Sequence, residues 1–428
     1  MRPTLSYQLR RLRSRLHRMR IALAVRGWRG LLARVFGPGP TDATESGAAP
    51  ALPAAMPPQP QAAATRRWLL VDVTTPRPDR DSGSLRSWNL MRLLRAQGHQ
   101  VDFLPDDGAD AGHYTAALRA LGVTVHAGAG SLARWFGRHL ADYDVLVVSR
   151  YHLAESLLPL ARATAPGVRV VLDTVDLHHL REQREAELRA HPGLLRLART
   201  TRQRELAMVA AADMAWVVSP VEAALLREAI PGACVALLPN ILEPLASPRG
   251  YAGRSGLLFV GGARHPPNVD AVEWLVREIF PLVRARLPDC ELHLAGDGLA
   301  ALAVAREGAP GVVVHDHVPD LAPLLGRCRF GLAPLRYGAG VKGKVNMYMA
   351  HGLPVVATPS AAEGTFLEHG RDVLLAADAA GLADAVVEAS RDPALWQRLA
   401  ANGLANVHEH FSFDTARRAV DGILETLR

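Results

Sequence analysis

The strongest constraint on the fold is an alternation of short apolar runs with longer helical stretches, which occurs twice along the chain. Seven runs precede Asn240: Trp68–Val73, Val101–Leu104, Val123–His126, Val145–Ser149, Val168–Leu172, Met214–Val218 and Val235–Leu238. Six more follow it: Leu257–Val260, Glu291–Ala295, Val312–His315, Phe330–Ala333, Val355–Thr358 and Val373–Leu375. Continuous apolar runs between helices are typical of parallel strands that are covered on both faces. The sequence therefore predicts an α/β protein with two doubly wound domains that face each other across a cleft.

The domain boundaries are predicted from where these runs begin and end. Residues 67–240 and 241–410 are the expected N-terminal and C-terminal domains, and residues 411–428 form a helix with no strand after it. Residues 37–66 are rich in Pro, Ala and Gly without apolar periodicity, which favours an extended linker. With 49% hydrophobic and 21% charged residues, the chain is expected to fold rather than to be disordered.

Residues 1–36 form a basic arm. They contain ten arginines and no acidic residue, so the arm alone exceeds the net charge of +7. Apolar side chains recur among the arginines at helical spacing: Leu9, Leu12, Leu16, Met19, Leu23 and, after a break, Leu31, Leu32 and Phe36. A basic amphipathic helix of this kind can lie on an anionic membrane surface. Composition alone leaves two alternatives open, a nucleic-acid contact and a solvated basic tail.

The spacing of the cysteines bears on the cellular compartment in which the protein folds. Cys234, Cys290 and Cys328 lie far apart and show no C-x-x-C spacing, so the sequence suggests neither a zinc site nor a disulfide framework. A reducing cytoplasm fits this pattern, with the basic arm as a route to peripheral attachment at the inner face of the membrane.

The strongest chemical signal is a glycine-rich, basic loop that follows the predicted strand Phe330–Ala333. Ligands of open parallel sheets bind at the carboxyl ends of the strands, and this loop lies at that edge. Glycines allow backbone N–H groups to approach a diphosphate, while basic side chains and the N-terminus of the next helix attract it. The candidates are Arg336, Gly338, Gly340, Lys342 and Lys344. The alternative is a glycine turn with solvated lysines.

Asp176 and His178 follow the predicted strand Val168–Leu172 and are the candidate catalytic residues. A carboxylate and a histidine at this edge can orient a hydroxyl group and stabilise developing charge. A metal site is disfavoured because the adjacent side chains of His178 and His179 point to different faces of a regular element. The structural alternative is a helix cap made by Asp176, with histidines on the surface.

A third candidate is the loop after the first strand. Gly83 and Ser84 lie where the next helix is predicted to begin, so they could face a phosphate across the cleft. This glycine is weak evidence by itself, and it gains weight from the glycine-rich loop that is expected opposite.

Together these motifs resemble the retaining GT-B glycosyltransferases of the family-four type, particularly the bacterial subgroup that assembles surface polysaccharides. The resemblance covers Trp68–Arg428 and rests on six motifs: Asp81–Arg86, Asp173–His178, Phe259–Gly262, His265–Asp270, Arg336–Lys344 and His351–Val356. It implies two Rossmann-like domains, with the acceptor held by residues 67–240 and the nucleotide-sugar donor by residues 241–410. It also implies that residues 411–428 return to the first domain.

The resemblance further implies an enzyme without metal or other cofactor, because the basic loop and the helix dipole offset the charge of the leaving diphosphate. The expected function is retaining transfer of a sugar from a nucleoside-diphosphate-sugar to a saccharide or lipid-linked acceptor, in surface polysaccharide biosynthesis. No nucleic-acid partner is expected.

The chain departs from the family at two positions. Family members usually carry two glutamates seven residues apart, and here Ala339 and Met347 stand at those positions. Glu363, after the predicted strand Val355–Thr358, is a candidate substitute for the missing ribose acceptor; the alternative is an ordinary surface carboxylate. The departure leaves other functions open: a catalytically silent GT-B protein that binds nucleotide or a partner, a sugar-nucleotide epimerase, or a phosphorylase.

Overall fold

A computed structural model describes residues 3–36, 52–57, 65–245 and 249–427. The contacts divide the chain into two compact units. The first comprises Met1–Pro76, Leu90–Leu237 and Asp421–Arg428, and the second comprises Arg77–Asn89 and Leu238–Val420. The loop after the first strand thus clusters with the second unit, and the end of the chain with the first. The domain boundaries given above remain predictions, and most of the proposed linker lies outside the described residues.

The first unit contains a seven-stranded sheet in the order β3-β2-β1-β4-β5-β6-β7, with every neighbouring pair parallel. Its strands are β1 Arg67–Asp72, β2 Gln100–Pro105, β3 Thr124–Val125, β4 Val145–Ser149, β5 Arg169–Asp173, β6 Met214–Val217 and β7 Val235–Leu237. Leu70 of β1 lies between Phe103 and Val147 in the ladder, and the middle of each long strand is buried. All seven predicted runs are confirmed, since burial on both faces requires unbroken apolar sequence.

Eight helices accompany this sheet in the described chain: α1 Pro3–Phe36, α2 Ser82–Ala96, α3 His113–Ala120, α4 Leu132–His139, α5 Tyr151–Thr164, α6 His178–Leu188, α7 Pro192–Ala211 and α8 Pro220–Ala229. The first turns of α2, up to Asn89, cluster with the second unit. Helix α1 is broken at Gly27, whose φ of 66° is a left-handed conformation that glycine adopts readily. The predicted arm helix is therefore confirmed, whereas the side chains of Leu31, Leu32 and Phe36 lie outside the described residues.

The second unit contains a six-stranded parallel sheet in the order β10-β9-β8-β11-β12-β13. Its strands are β8 Leu257–Val260, β9 Leu292–Ala295, β10 Val312–His315, β11 Phe330–Ala333, β12 Val355–Ala357 and β13 Leu374–Leu375, which confirms the six predicted runs. The helices that follow β7 in the chain are α9 Pro266–Trp274, α10 Phe280–Arg284, α11 Ala303–Arg306, α12 Ala322–Arg327, α13 Gly343–Ala350, α14 Pro359–Ala362, α15 Ala379–Ala389, α16 Pro393–His410 and α17 Phe413–Thr426. The part of α17 from Asp421 onward clusters with the first unit. A π-helical segment, Leu275–Ile279, joins α9 to α10.

The strand order identifies where each unit can hold a ligand. In each sheet the direction of winding reverses once, between β1 and β4 in the first unit and between β8 and β11 in the second. Open α/β sheets bind ligands at the carboxyl ends of the strands beside such a reversal. The predicted glycine-rich loop follows β11 directly, so it lies at this position in the second unit. None of the helices in the described ranges has the length and apolarity needed to cross a membrane.

Candidate functional site

The glycine-rich loop connects β11 to α13 and is built for close contact. Gly340 has a φ of 63°, which favours glycine. A Cβ on Gly338 would lie 3.1 Å from Cε of Lys342, so even a methyl group would press on that side chain. A Cβ on Gly343, the first residue of α13, would lie 2.3 Å from Cβ of Ser82. The two predicted phosphate loops therefore meet at Gly343 and Ser82 within the second unit.

Lys344 lies in the first turn of α13, and its ammonium group is held between β8 and α9. Its Nζ donates a hydrogen bond to Oδ1 of Asn268 at 2.7 Å and lies 4.1 Å from the ring centroid of Phe259. Burial lowers the pKa of Lys344 to about 7. A large fraction of the amine is thus neutral near pH 7. An anion that reached this position would favour the charged form of the amine.

Lys342 occupies the N-cap position of α13 and is 8% exposed. Its Nζ donates to the backbone carbonyl of Gly340 at 3.0 Å, so the side chain folds back over the loop. Lys342 and Lys344 are the only two lysines among the 49 basic residues of the chain. Both therefore belong to the loop that the sequence assigns to a diphosphate.

Arg336 also belongs to this loop, but it has a protein partner. Its Nε and Nη2 donate to the two carboxylate oxygens of Asp270 at 2.9 and 2.5 Å, and its guanidinium lies 5.3 Å from the ring centroid of Trp274. The hydrogen bond to Asp270 raises the pKa of Arg336 above its ordinary value. The positive charge of Arg336 is thus already compensated, and an incoming phosphate would compete with a carboxylate for it.

Gly83 and Ser84 lie in the first turn of α2, which carboxylates hold in place. Both oxygens of Asp81 accept hydrogen bonds from Ser84, one from its backbone N and one from its Oγ, each at 2.8 Å. Arg80 forms a two-bond pair with Asp297 at 3.0 Å, and His317 lies 3.2 Å from the same carboxylate. This ionic cluster joins the start of α2 to the segment that follows β9.

Met347 stands where the family has its ribose-binding glutamate, and Glu363 is the candidate substitute. Glu363 directly follows α14 and is partly buried, on the loop that leaves the carboxyl end of β12. Because β11 and β12 are parallel neighbours, Glu363 lies at the same edge of the sheet as the glycine-rich loop. Met347 lies on α13, and its carbonyl oxygen is 2.9 Å from Nδ1 of His351. The ribose role of Glu363 remains a prediction.

Asp176 and His178 lie in the first unit, after β5 and at the start of α6. Val175, just before them, has a φ of 63°, which is strained for a β-branched residue. The N-cap residue of α6 is Leu177, and the carboxylate of Asp176 forms an ion pair with Arg181. The alternative of a helix cap by Asp176 with surface histidines is therefore wrong, because His178 and His179 are largely buried as well.

Two buried glutamates hold this segment, and sequence reasoning assigned neither of them to the site. Glu222 of α8 accepts a hydrogen bond from the backbone N of Leu177 at 2.8 Å. Glu205 of α7 accepts from the backbone N of both His178 and His179 at 3.2 Å, and its Oε2 lies 2.6 Å from Nδ1 of His179. Both glutamates are 0% exposed. They satisfy the free N–H groups at the start of α6 and so fix the backbone that carries the candidate catalytic residues.

Glu205 remains ionised despite its burial. Burial by itself would raise the pKa of Glu205, but the hydrogen bonds from His178 and His179 outweigh it and lower the pKa below its usual range. In contrast, burial raises the pKa of the neighbouring Glu182 to about 7. Within the described ranges of the chain, no group of three His, Cys, Asp or Glu residues is placed to hold a metal ion.

Residues 254–392, all in the second unit, match the family described as glycosyl transferases group 1. A Klebsiella pneumoniae protein described as an uncharacterized 44.6 kDa protein in the cps region is 27% identical over 180 residues, which is 40% of this chain and 46% of that protein. The chain therefore spans about half the length of this curated relative.

Two solved structures show a similar fold. The sucrose-phosphate synthase of Thermosynechococcus elongatus matches with a TM-score of 0.65 and 17% identity over 85% of this chain and 99% of that one. Anabaena HepE in complex with UDP-glucose matches with a TM-score of 0.62 and 16% identity over 84% of this chain and 100% of that one. The predicted GT-B architecture of two Rossmann-like sheets is thus confirmed. The chain thus has the GT-B fold, and its residues 254–392 match the family of group 1 glycosyl transferases.

Proposed function

We propose that this protein transfers a sugar, with retention, from a nucleoside-diphosphate-sugar to a saccharide or lipid-linked acceptor. One observation carries the donor part of the proposal: the ammonium of Lys344 lies at the start of α13, beside the glycine-rich loop, where burial lowers its pKa to about 7. A diphosphate at this position would restore the charge of that group, and the helix N-terminus would add to the attraction. HepE, with a similar fold, has been crystallised with UDP-glucose.

The residues of the loop have separate roles in this proposal. Gly338 and Gly340 let backbone N–H groups approach the diphosphate, while Lys342 and Lys344 neutralise the charge that grows on it as the bond to the sugar breaks. Arg336 also binds the diphosphate if a phosphate group replaces Asp270 as the partner of its guanidinium. Gly83 and Ser84 close over the diphosphate. Glu363 accepts a hydrogen bond from a ribose hydroxyl, in place of the missing glutamate.

Asp176 and His178 shape the reacting centre on the acceptor side. His178 is held by its backbone bond to Glu205, which fixes the start of α6. Fixed orientation of this kind lowers the entropy lost when an acceptor hydroxyl is positioned for reaction. Retention is proposed from the resemblance to the family-four type, and no covalent nucleophile is assigned.

The acceptor and the cellular setting are proposed from two observations. The cps-region relative supports a role in polysaccharide biosynthesis. The arginine-rich arm supports a location at the inner face of the membrane, where lipid-linked saccharides are built. The protein would then act in the cytoplasm as a peripheral membrane enzyme.

The first experiment is a thermal-shift panel with UDP, GDP and ADP on three proteins: wild type, Lys344→Met and Arg306→Met. Arg306 is an exposed residue of the second unit, so its variant removes one positive charge away from the loop. A ligand at 100 times its Kd stabilises a protein by about 2.7 kcal/mol. We expect a base-selective shift in wild type and Arg306→Met that Lys344→Met loses. No shift with any nucleotide in wild type would contradict the donor site.

A transfer assay with the selected nucleotide-sugar then tests catalysis, and the anomeric configuration of the product tests retention. Met347 favours a second candidate, a protein that binds nucleotide without turnover. If wild type binds nucleotide but transfers nothing, the variant Met347→Glu distinguishes the two. Turnover that appears only in that variant would support the silent protein.

A further inference from the structure

Helix α1 has two faces with different surroundings. One face packs on the first unit, through Tyr7, Ser14, His17 and Ala22, each of which is at most 8% exposed. Ser14 Oγ donates to the backbone carbonyl of His152 in α5 at 3.4 Å, and His17 Nε2 lies 2.9 Å from Oγ1 of Thr201 in α7. The side of the helix opposite the leucines, which is part apolar and part polar, thus attaches α1 to the first unit.

The opposite face carries an apolar stripe, defined as Leu5, Leu9, Leu12, Leu16 and Met19. Each of these side chains is between 45% and 55% exposed, and together they are five of the ten exposed large apolar side chains among the described residues. Their spacing of three and four residues aligns them along the helix, roughly 160° from the buried face at 3.6 residues per turn. A continuous exposed stripe of this kind marks an interaction surface.

The charges beside the stripe indicate what covers it. Arg13 and Arg20 are exposed along one flank and Arg15 along the other. The first acidic residue of the sequence is Asp42, so the stripe has no negative side chain near it in sequence. Against a second copy of the helix, these arginines would face like charges. Against nucleic acid, the phosphates would engage the arginines and leave the leucines exposed.

We propose that α1 binds an anionic lipid bilayer through this apolar stripe. The leucines and Met19 enter the boundary between headgroups and acyl chains, while the flanking arginines contact lipid phosphates. Because the other face is attached to α5 and α7, the helix lies flat on the surface and carries the first unit with it. The apolar stripe is the surface that would hold the protein at the membrane location proposed above, and its binding to lipid does not depend on sugar transfer.

The test is cosedimentation of the full chain with vesicles of phosphatidylcholine containing 30% phosphatidylglycerol, and with vesicles of phosphatidylcholine alone. The stripe variant is the triple substitution Leu9→Gln, Leu12→Gln and Leu16→Gln. The matched control is another triple substitution of exposed leucines, away from α1: Leu225→Gln, Leu245→Gln and Leu282→Gln, at 37%, 58% and 42% exposure.

We expect wild type and the control variant to bind the anionic vesicles, and the stripe variant to bind them at least tenfold more weakly. Binding to phosphatidylcholine alone should be at least tenfold weaker than to the anionic vesicles. Equal binding of the stripe variant and wild type, or no wild-type binding to anionic vesicles, would overturn the proposal. So would a wild-type dimer that the stripe variant converts to a monomer, because a second copy would then cover the stripe. The nucleotide thermal shift, measured on the same samples, reports folding and the donor site separately.

Discussion

Binding of a nucleoside diphosphate should be coupled to uptake of a proton by Lys344. The pKa of this amine is about 7 in the free protein, against an ordinary value of 10.5. That difference means that burial disfavours the charged form of the amine by about 5 kcal/mol relative to an amine in water. A diphosphate within contact distance of the amine favours the charged form again, and its binding therefore draws a proton from the solvent.

The size of the effect follows from the pKa. At pH 8, about one tenth of the amine is protonated in the free protein. If the bound diphosphate restores full protonation, each binding event takes up about 0.9 proton, and the affinity falls by about tenfold for each pH unit above 8. Both effects disappear when the amine is absent.

Isothermal titration calorimetry with UDP in two buffers of different ionisation enthalpy measures the proton uptake directly. Wild type and Arg306→Met should take up about 0.9 proton for each UDP bound at pH 8. Lys344→Met should bind UDP weakly and take up no proton. Titrations from pH 7 to pH 9 should show the loss of affinity in the same two proteins. Wild-type binding at pH 8 with no proton uptake would refute the reasoning, and so would equal uptake by Lys344→Met.

Three further predictions concern stability and packing. First, the pKa of Lys344 is lower in the folded protein than in the unfolded chain, so folding releases a proton. The free energy of unfolding of wild type relative to Lys344→Met, measured with urea, should therefore rise by about 1.4 kcal/mol per pH unit between pH 7 and 10. A difference between the two proteins that is constant with pH would contradict this. Second, Glu205→Gln should lower the free energy of unfolding by about 1–3 kcal/mol and should reduce sugar transfer more than nucleotide binding, because it weakens the hydrogen bond that holds His178. Unchanged stability and turnover would show that the carboxylate is dispensable. Third, Gly343→Ala should weaken nucleotide binding and lower the Tm, because the added methyl group would meet Cβ of Ser82. Adding Ser82→Gly should restore both the binding and the Tm. A double variant no better than Gly343→Ala alone would show that the steric conflict is not with Ser82.

The sequence predicted the strands well because each is a local pattern. Every strand is an apolar run that lies between helices, and the fold requires that run whatever the distant partners are. The position of the glycine-rich loop followed from the same reasoning, since the carboxyl end of β11 is known once β11 is known.

The contacts of the site could not be predicted in this way. Arg336 and Asp270 are 66 residues apart, and Glu205 lies 26 residues beyond His179 in an unremarkable stretch of α7. A buried carboxylate is tolerated only where the tertiary structure supplies donors, and no sequence spacing encodes that. The leucine pattern of the arm indicated a helix with two faces, but it did not indicate that the face opposite the leucines would attach to the first unit.

The pair of lysines also lets chemical labelling report on the donor loop, because a reagent reaches their buried amines when the loop opens. Acylating reagents react with the neutral form of an amine, and Lys344 is largely neutral at a pH where an ordinary lysine is charged. Apart from the α-amino group, the primary amines of the chain are those of this residue and Lys342. A single mass increment on the peptide that contains both would report whether the loop is occupied, and its rate of formation at increasing nucleotide concentration would give the affinity without any knowledge of the acceptor.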